Sequence, residues 1–578
     1  MRIVHPPRII AVAILLAVAL ILSACAPIFS QPLLGQTHFY EMIYERPSYE
    51  ELRSLCDDAL AELRAEKPNY RKATLALDAF FASFSTYFTM ESLANLYYSA
   101  DTQREDYRKE CDFFVQHSVL VEKCREEIMV AAANSKIRSG LETVYFMTDL
   151  SEYEEYARYT DDEYLQMSLD EAKLVRRYRD TVSDATVNEK NVWEALGECT
   201  NAEEYRGILT SFFEKYTSIL AQIYHELTEI RCRMAKHLGI DSYILLAGEG
   251  LGREMSMEQM KGYLSQLKRA VTSVKLDQSQ ESATVMSRTV GERELHGYLR
   301  DVCTEMDEVL GYDQFSTLHE YMLTYGLCDL SLSPRKEGTS FTTYLYDYYE
   351  PYVFLSPEGN YHDLTTLFHE FGHFTEMGYS GNTASSIDLA EVYSEGFEML
   401  AVQYMPAETK KQKELRTTLF DREKEKALDT FRYQGLLTDF EMRIFDPASK
   451  IDTSDPDALC DLFAQLSVEW GYHEDENDIL ARSGWITVPH IFQYTSYVFS
   501  YCIASDIALQ LGKKECDERG SGLEIYASLL ERDNTDDFVT VLTKAGLSSP
   551  FESGHCEALI PAFLACSLPL RESEGEMR

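Results

Sequence analysis

Chain breakers are scarce in this sequence. Its 578 residues hold 16 prolines and 28 glycines. That is too few for a β-sandwich or propeller, which needs a turn roughly every 8–12 residues, so long helices are expected. Bases are scarce as well. Lysine and arginine total 54 against 96 acids, a formal net charge of -42. Phosphate contacts need a basic face, so no nucleic-acid partner is expected. No Cys-x-x-Cys pair occurs among the 13 cysteines, which removes a cysteine zinc site and a thioredoxin-like motif. After residue 22 no long apolar run follows, and there is no internal repeat. What is present is ordinary for a globular protein: 45% hydrophobic and 26% charged residues. That balance excludes wholesale disorder, and the length allows a large core.

The first residues read as a targeting segment. Arg2 and Arg8 lead into an apolar stretch from Ile9 to Leu22, followed by Ser23-Ala24-Cys25. The stretch is short for a membrane span, which takes about 20 residues, and suits the core of a secretory signal. The ending resembles a bacterial lipobox. It implies a lipoprotein signal peptide over 1–24, acylation of Cys25, and a body lipid-anchored to the membrane in the cell envelope, outside the cytoplasm. An ordinary signal peptide or an uncleaved anchor is the plainer alternative. The other cysteines are widely spaced and are expected to be mostly buried thiols.

Helical periodicity dominates the body. Tyr205, Ile208, Leu209, Phe212, Phe213, Tyr216, Ile219 and Leu220 keep one stripe on one face. Arg71–Tyr98, Arg104–Lys136 and Met257–Lys275 behave alike. Composition shifts near Ser331–Gly338, dividing a helical lobe over 25–330 from a second lobe over 331–578. Thr339–Tyr346 is rich in β-branched and aromatic residues and reads as a strand, with Tyr352–Ser356 as its partner. Pro357-Glu358-Gly359 is a turn. Asn360 is a helix cap with Asp363 three residues on. The chain is then helical to about Leu564, apart from a break at Asp446–Pro456.

The helix after Asn360 contains His369-Glu370-Phe371-Gly372-His373. Histidines at i and i+4 share a face one turn apart, so both imidazoles can converge on one metal ion. Glu370 is placed to take a proton from a water at that metal. His225-Glu226 and His319-Glu320 lack the second histidine and read as ordinary helix-surface residues. Where a metzincin would carry its third histidine, this chain has Tyr379, so the third ligand must be sought elsewhere. Tyr379–Ser386 reads as a loop. A following helix carries Glu391, Glu395 and Glu398 on or near one face. At least one is expected to bind the metal and another to hold the far nitrogen of a ligand histidine. Gly372 would let the two helices approach closely, which offsets its helix cost of about 1 kcal/mol.

His-Glu-Phe-Gly-His, followed by Asp388-Leu389-Ala390-Glu391 and Ser394, resembles the thimet oligopeptidase and oligoendopeptidase F family of zinc metallopeptidases. The resemblance is specific over roughly Gly338–Tyr501. It implies one zinc per chain on His369, His373 and Glu391, with Glu398 as a supporting acid; Glu395, from its place on the helix, is a second candidate for that support. Downstream, Val488-Pro489-His490 precedes Tyr494, Tyr497 and Tyr501, which is similar to that family's Pro-His and tyrosine-rich helix. By that likeness His490 and Tyr497 stabilise the tetrahedral intermediate, and Tyr494 and Tyr501 contact substrate. The family fold implies a mainly α, two-lobed zincin-type peptidase, with a small β-sheet beside the zinc helix and a deep substrate channel. The implied activity is hydrolysis of internal bonds in short unfolded peptides, with Glu370 as general base. An exopeptidase on the same site, or a non-catalytic peptide-binding lipoprotein, are the alternatives.

Overall fold

The computed structural model describes residues 32–199, 201–274, 288–381, 386–531 and 536–568. Residues 1–24 and Cys25 lie outside these. The fold is mostly helical with small sheets. Among the described residues no helix is long and apolar enough to cross a membrane.

The chain forms two compact units. One comprises the described residues up to Leu169 with Tyr321–Ser356 and Glu376–Thr383. The other comprises Asp170–Glu320, Pro357–Thr375 and Ala384 onward. This division by contact does not follow sequence order. The first unit also draws in two later stretches.

In the first unit the helices begin where the sequence offers caps. Ser48 takes the Glu51 N–H and opens Tyr49–Arg64. Asn69 takes the Lys72 N–H and opens Tyr70–Ala100, each satisfying an otherwise orphaned donor. Phe80, Phe84 and Tyr87 from the second helix and Phe114 from Glu105–Ala133 fill the core between them. A three-stranded sheet belongs to this unit. Its centre is Glu350–Phe354, parallel to Cys328–Asp329 and antiparallel to Phe341–Leu345. Phe341 lies opposite Phe354, and their rings stack 5.1 Å apart. Both expected strands are present, each a few residues from the bounds read above.

The second unit carries the histidine motif. Its long helices include Ala202–Leu238, Ile387–Tyr404, Lys410–Ile444 and Val498–Asp517. The expected break after residue 446 is present, since Lys410–Ile444 stops there and the next helix starts at Pro456. Gly435 faces the Trp470 ring so closely that a Cβ would stand 2.4 Å from it. His319 corrects one expectation. It is 2% exposed, not a surface residue, and lies against Phe371 with its ring centroid 6.3 Å away. His225 is half-buried, with Nδ1 2.8 Å from the Thr453 hydroxyl.

Candidate metal and catalytic centre

The motif helix spans His362–Ser380. Its entry is fixed by acids and amides close in sequence. The Asp363 carboxylate accepts the N–H groups of Glu358, Gly359 and Asn360, while the Asn360 side chain accepts from the His362 N–H. The helix runs on through Tyr379 and Ser380, where a loop was expected. Residues 382–385 lie outside the described ones. Ser386 then caps Ile387–Tyr404 through the Leu389 N–H.

The two helices run antiparallel at close range. A Cβ on Gly372 would stand 2.6 Å from the Tyr393 carbonyl oxygen and 2.7 Å from the Ser394 Cα. No side chain fits there, which is the physical reason for glycine inside this helix. The approach brings Glu391 Oε2 to 3.7 Å from Nε2 of both His369 and His373. One donor atom from each of the three lies within 4.8 Å of the others. Ligand atoms of a tetrahedral zinc, about 2.0–2.2 Å from the metal, stand roughly 3.3–3.5 Å apart. The three residues therefore fit the ion with a small contraction.

Around these donors the charges are arranged by burial. Glu398 Oε2 lies 3.4 Å from His369 Nδ1, which leaves Nε2 for the metal side. Lys426 donates to the same Glu398 oxygen at 2.5 Å. Burial alone would raise Glu398, but Lys426 and His369 outweigh it and hold the carboxyl down at about 2. Burial alone would lower His369, but Glu398, Glu370 and Glu391 outweigh it and raise the imidazole to about 9. His373 has less acidic support, and burial takes it down to about 4. Glu395 plays a different part from Glu398. It accepts from the Ser505 hydroxyl, and burial pushes it up to about 7. Behind it Glu423 is pushed up to about 8 by burial and by Glu398. Glu370 is buried at 5% exposure, next to the first ligand.

The tyrosine segment is brought to the same place in an unexpected shape. Pro489–Gln493 and Val498–Asp517 are separate helices. The corner between them contains Ser496 at φ 70°, a left-handed conformation that non-glycine residues rarely adopt. The single tyrosine-rich helix read from the sequence is thus corrected to a helix, a corner and a second helix. The corner turns Tyr497 onto Glu391, with its hydroxyl donating to Oε1 at 2.7 Å. His490 stands 5.5 Å from the Tyr497 ring and 5.9 Å from the Tyr501 ring, centroid to centroid. Burial, then the Glu391 charge, raises both phenols, and burial lowers His490. Tyr494 is 57% exposed, so it is not a core residue. Lys426, Glu423 and Arg253 take part in this arrangement without having been legible in the sequence, since their partners Glu398 and Asp388 lie on another helix, 25 or more residues away.

The family description "Peptidase family M3" matches residues 246–560, and "Peptidase M3 N-terminal domain" matches 39–154. The chain is 28% identical over 298 residues to "Oligopeptidase PepF" of Bacillus subtilis (strain 168), covering 44% of this chain and 43% of that protein. It is 24% identical over 227 residues to "Group B oligopeptidase PepB" of Streptococcus agalactiae serotype III (strain NEM316), covering 38% and 37%. The matches thus span less than half the length of these curated relatives. Among solved structures, "PZ peptidase A with inhibitor 2" is similar with a TM-score of 0.76 and 19% identity, over 91% of this chain and 98% of that one. At that identity the likeness concerns the fold.

Proposed function

The chain belongs to peptidase family M3, and from that premise we propose that it is a zinc-dependent oligopeptidase hydrolysing internal bonds of short unfolded peptides. The observation that carries the reading is the meeting of His369, His373 and Glu391 from two helices, with Glu370 beside them and Tyr497 on Glu391. A zinc ion held by those three residues supplies Lewis acidity towards a water and a peptide carbonyl. Glu398, charged by virtue of Lys426, keeps the His369 ring turned so that Nε2 faces the donors. Glu370 takes the proton of the attacking water at its carboxylate and returns it to the leaving nitrogen. The Tyr497 hydroxyl leaves Glu391 and donates to the carbonyl oxygen as that oxygen gains charge, with His490 beside it. Tyr501 and the exposed Tyr494 extend the same wall towards the peptide.

The test is mass spectrometry of products from a defined peptide library, with and without a chelator. Internal cleavage that stops with the chelator and returns with zinc supports the reading. A ladder of single residues removed from one end would make the protein an exopeptidase. Metal-independent binding with no cleavage would make it a peptide-binding protein.

The lipobox-like sequence supports a second part of the proposal, that Cys25 is acylated and anchors the protein to the membrane of the cell envelope. Acyl chains contribute about 0.8 kcal/mol per buried methylene, so two or three on one cysteine hold firmly. Labelled fatty acid should enter the unaltered protein and not Cys25→Ser. No uptake by the unaltered protein would end this part alone.

A further inference from the structure

Arg253 lies far from the histidine motif in sequence, yet it joins the two elements that make the centre. It follows the helix Tyr243–Gly250, in a turn where Gly252 takes φ 68° and the Arg253 N–H closes on the Gly248 carbonyl at 2.8 Å. Its side chain is fully buried. All five N–H bonds of the guanidinium have partners. Nε and Nη2 grip the two oxygens of Asp388 at 3.0 and 2.9 Å. Nη2 also reaches the Ser500 hydroxyl at 2.7 Å. Nη1 reaches the carbonyl and the hydroxyl of Ser496 at 2.8 and 2.6 Å. The Phe499 ring covers the group, with its centroid 4.9 Å from Cζ.

The partners matter by where they sit. Asp388 is one turn before Glu391 on the same helix, and Ser496 immediately precedes Tyr497. Ser496 is the strained residue of the corner. Its N–H is held from the other side by Glu441 at 3.1 Å, and the Ser500 hydroxyl returns to Asp388 at 2.6 Å. A left-handed serine persists only where its surroundings over-determine it. Here one planar fork, which a lysine cannot reproduce, does that on two elements at once.

We propose that Arg253 is a positioning residue for hydrolysis. By clamping Ser496 to Asp388, it fixes the Tyr497 hydroxyl relative to Glu391, so that the phenol is in place when charge develops on the carbonyl oxygen. This rests on the oligopeptidase reading above. A purely structural ion pair would show itself as lost stability and as an effect independent of Tyr497. A positioning residue acts through Tyr497 and loses its effect when that hydroxyl is absent.

The experiment is a double-mutant cycle on the zinc-loaded full chain, using Arg253→Lys and Tyr497→Phe. Arg253→Lys keeps the charge opposite Asp388 and loses the fork. The expected result is a kcat lower by about 10²-fold with KM little changed, since small misplacements cost that much. In the Tyr497→Phe background the same change should cost less than about threefold. Zinc content should stay at the level of the unaltered protein. Ser496→Gly removes one acceptor of the fork and frees the corner backbone, without loss of fold because glycine takes this φ freely. It should show the same pattern at smaller size, and it decides alone if Arg253→Lys does not fold. Amide exchange over Tyr494–Val498 gives a readout independent of activity. It should rise on the order of 10-fold in either variant. Equal losses in both Tyr497 backgrounds, unchanged kcat, or unchanged exchange would overturn the proposal. Chelator-insensitive hydrolysis by the unaltered protein would overturn the oligopeptidase reading instead, and the exchange measurement would still judge the clamp.

Discussion

The Arg108–Glu105 pair of the helix Glu105–Ala133 and the Arg253–Asp388 pair beside Glu391 are built from like residue types and differ in their surroundings. Arg108 and Glu105 have side chains 51% and 67% exposed, whereas Arg253 and Asp388 are 0% and 1% exposed. Water and salt screen the first pair, so holding two long side chains together gains little. The second pair is shielded from both, and an unmatched charge there is costly, so each partner dictates where the other sits. Lys426–Glu398 stands between the two, with Glu398 2% exposed and Lys426 47% exposed. The Arg253–Asp388 pair thus fixes geometry beside Glu391 in a way that the exposed Arg108–Glu105 pair does not.

Substitutions can break that contrast, beginning with the largest effect. Glu370→Gln removes the one buried acid assigned to proton transfer and should lower kcat by about 10²–10⁴-fold. It should keep one zinc per chain, because Glu370 is a base and not a ligand. Elemental analysis finding the metal gone would reassign it. Tyr497→Phe keeps the ring and removes one donor. A fall of about 10²–10³-fold in kcat with steady KM is expected, and near-normal turnover would leave Tyr497 as packing.

A smaller effect concerns pH. Burial, then the nearby His296 and Arg300, holds His319 at about 4, below its ordinary 6.5. The unfolded chain therefore takes up this proton first. The stability that His319 contributes as a neutral group is whole above about pH 6.5 and is lost as pH falls from there to about 4. The full loss is about 3 kcal/mol. Denaturant titrations between pH 7 and 4.5 should find a shallower acid decline in His319→Leu than in the unaltered chain. Parallel declines would show that His319 titrates normally. At the other end of the scale, Arg108→Ala should leave the melting temperature unchanged at low and at high salt. A salt-dependent drop would mean that the exposed pairs carry more than this contrast allows.

Much of the framework was legible because it is local. Periodicity alone marked Arg71–Tyr98, nearly all of Tyr70–Ala100, and the break read at Asp446–Pro456 falls between Ile444 and the next helix. His369, Glu370 and His373 were legible because helical spacing alone puts both histidines on one face. Gly372 signalled close approach, and the antiparallel contact at Ser394 bears that out. Choosing Glu391 over Glu395 and Glu398 needed a family resemblance, since periodicity could not separate three acids on one helix. The corner at Ser496 left no trace. A serine at positive φ has no sequence signature, and the arginine that binds its carbonyl lies 243 residues away. His319 was misread for a similar reason. Its neighbour Glu320 suggested an exposed face, but the Phe371 side of the motif helix covers it.

The central claim is that two helices place three residues around one zinc. Metal stoichiometry of Glu391→Ala tests it most directly, measured by elemental mass spectrometry after dialysis against a weak chelator, beside the unaltered chain. The account predicts one zinc per unaltered chain and little or none in the variant, with both folded. Full zinc in Glu391→Ala would contradict it and move the third ligand to Glu395 or Glu398.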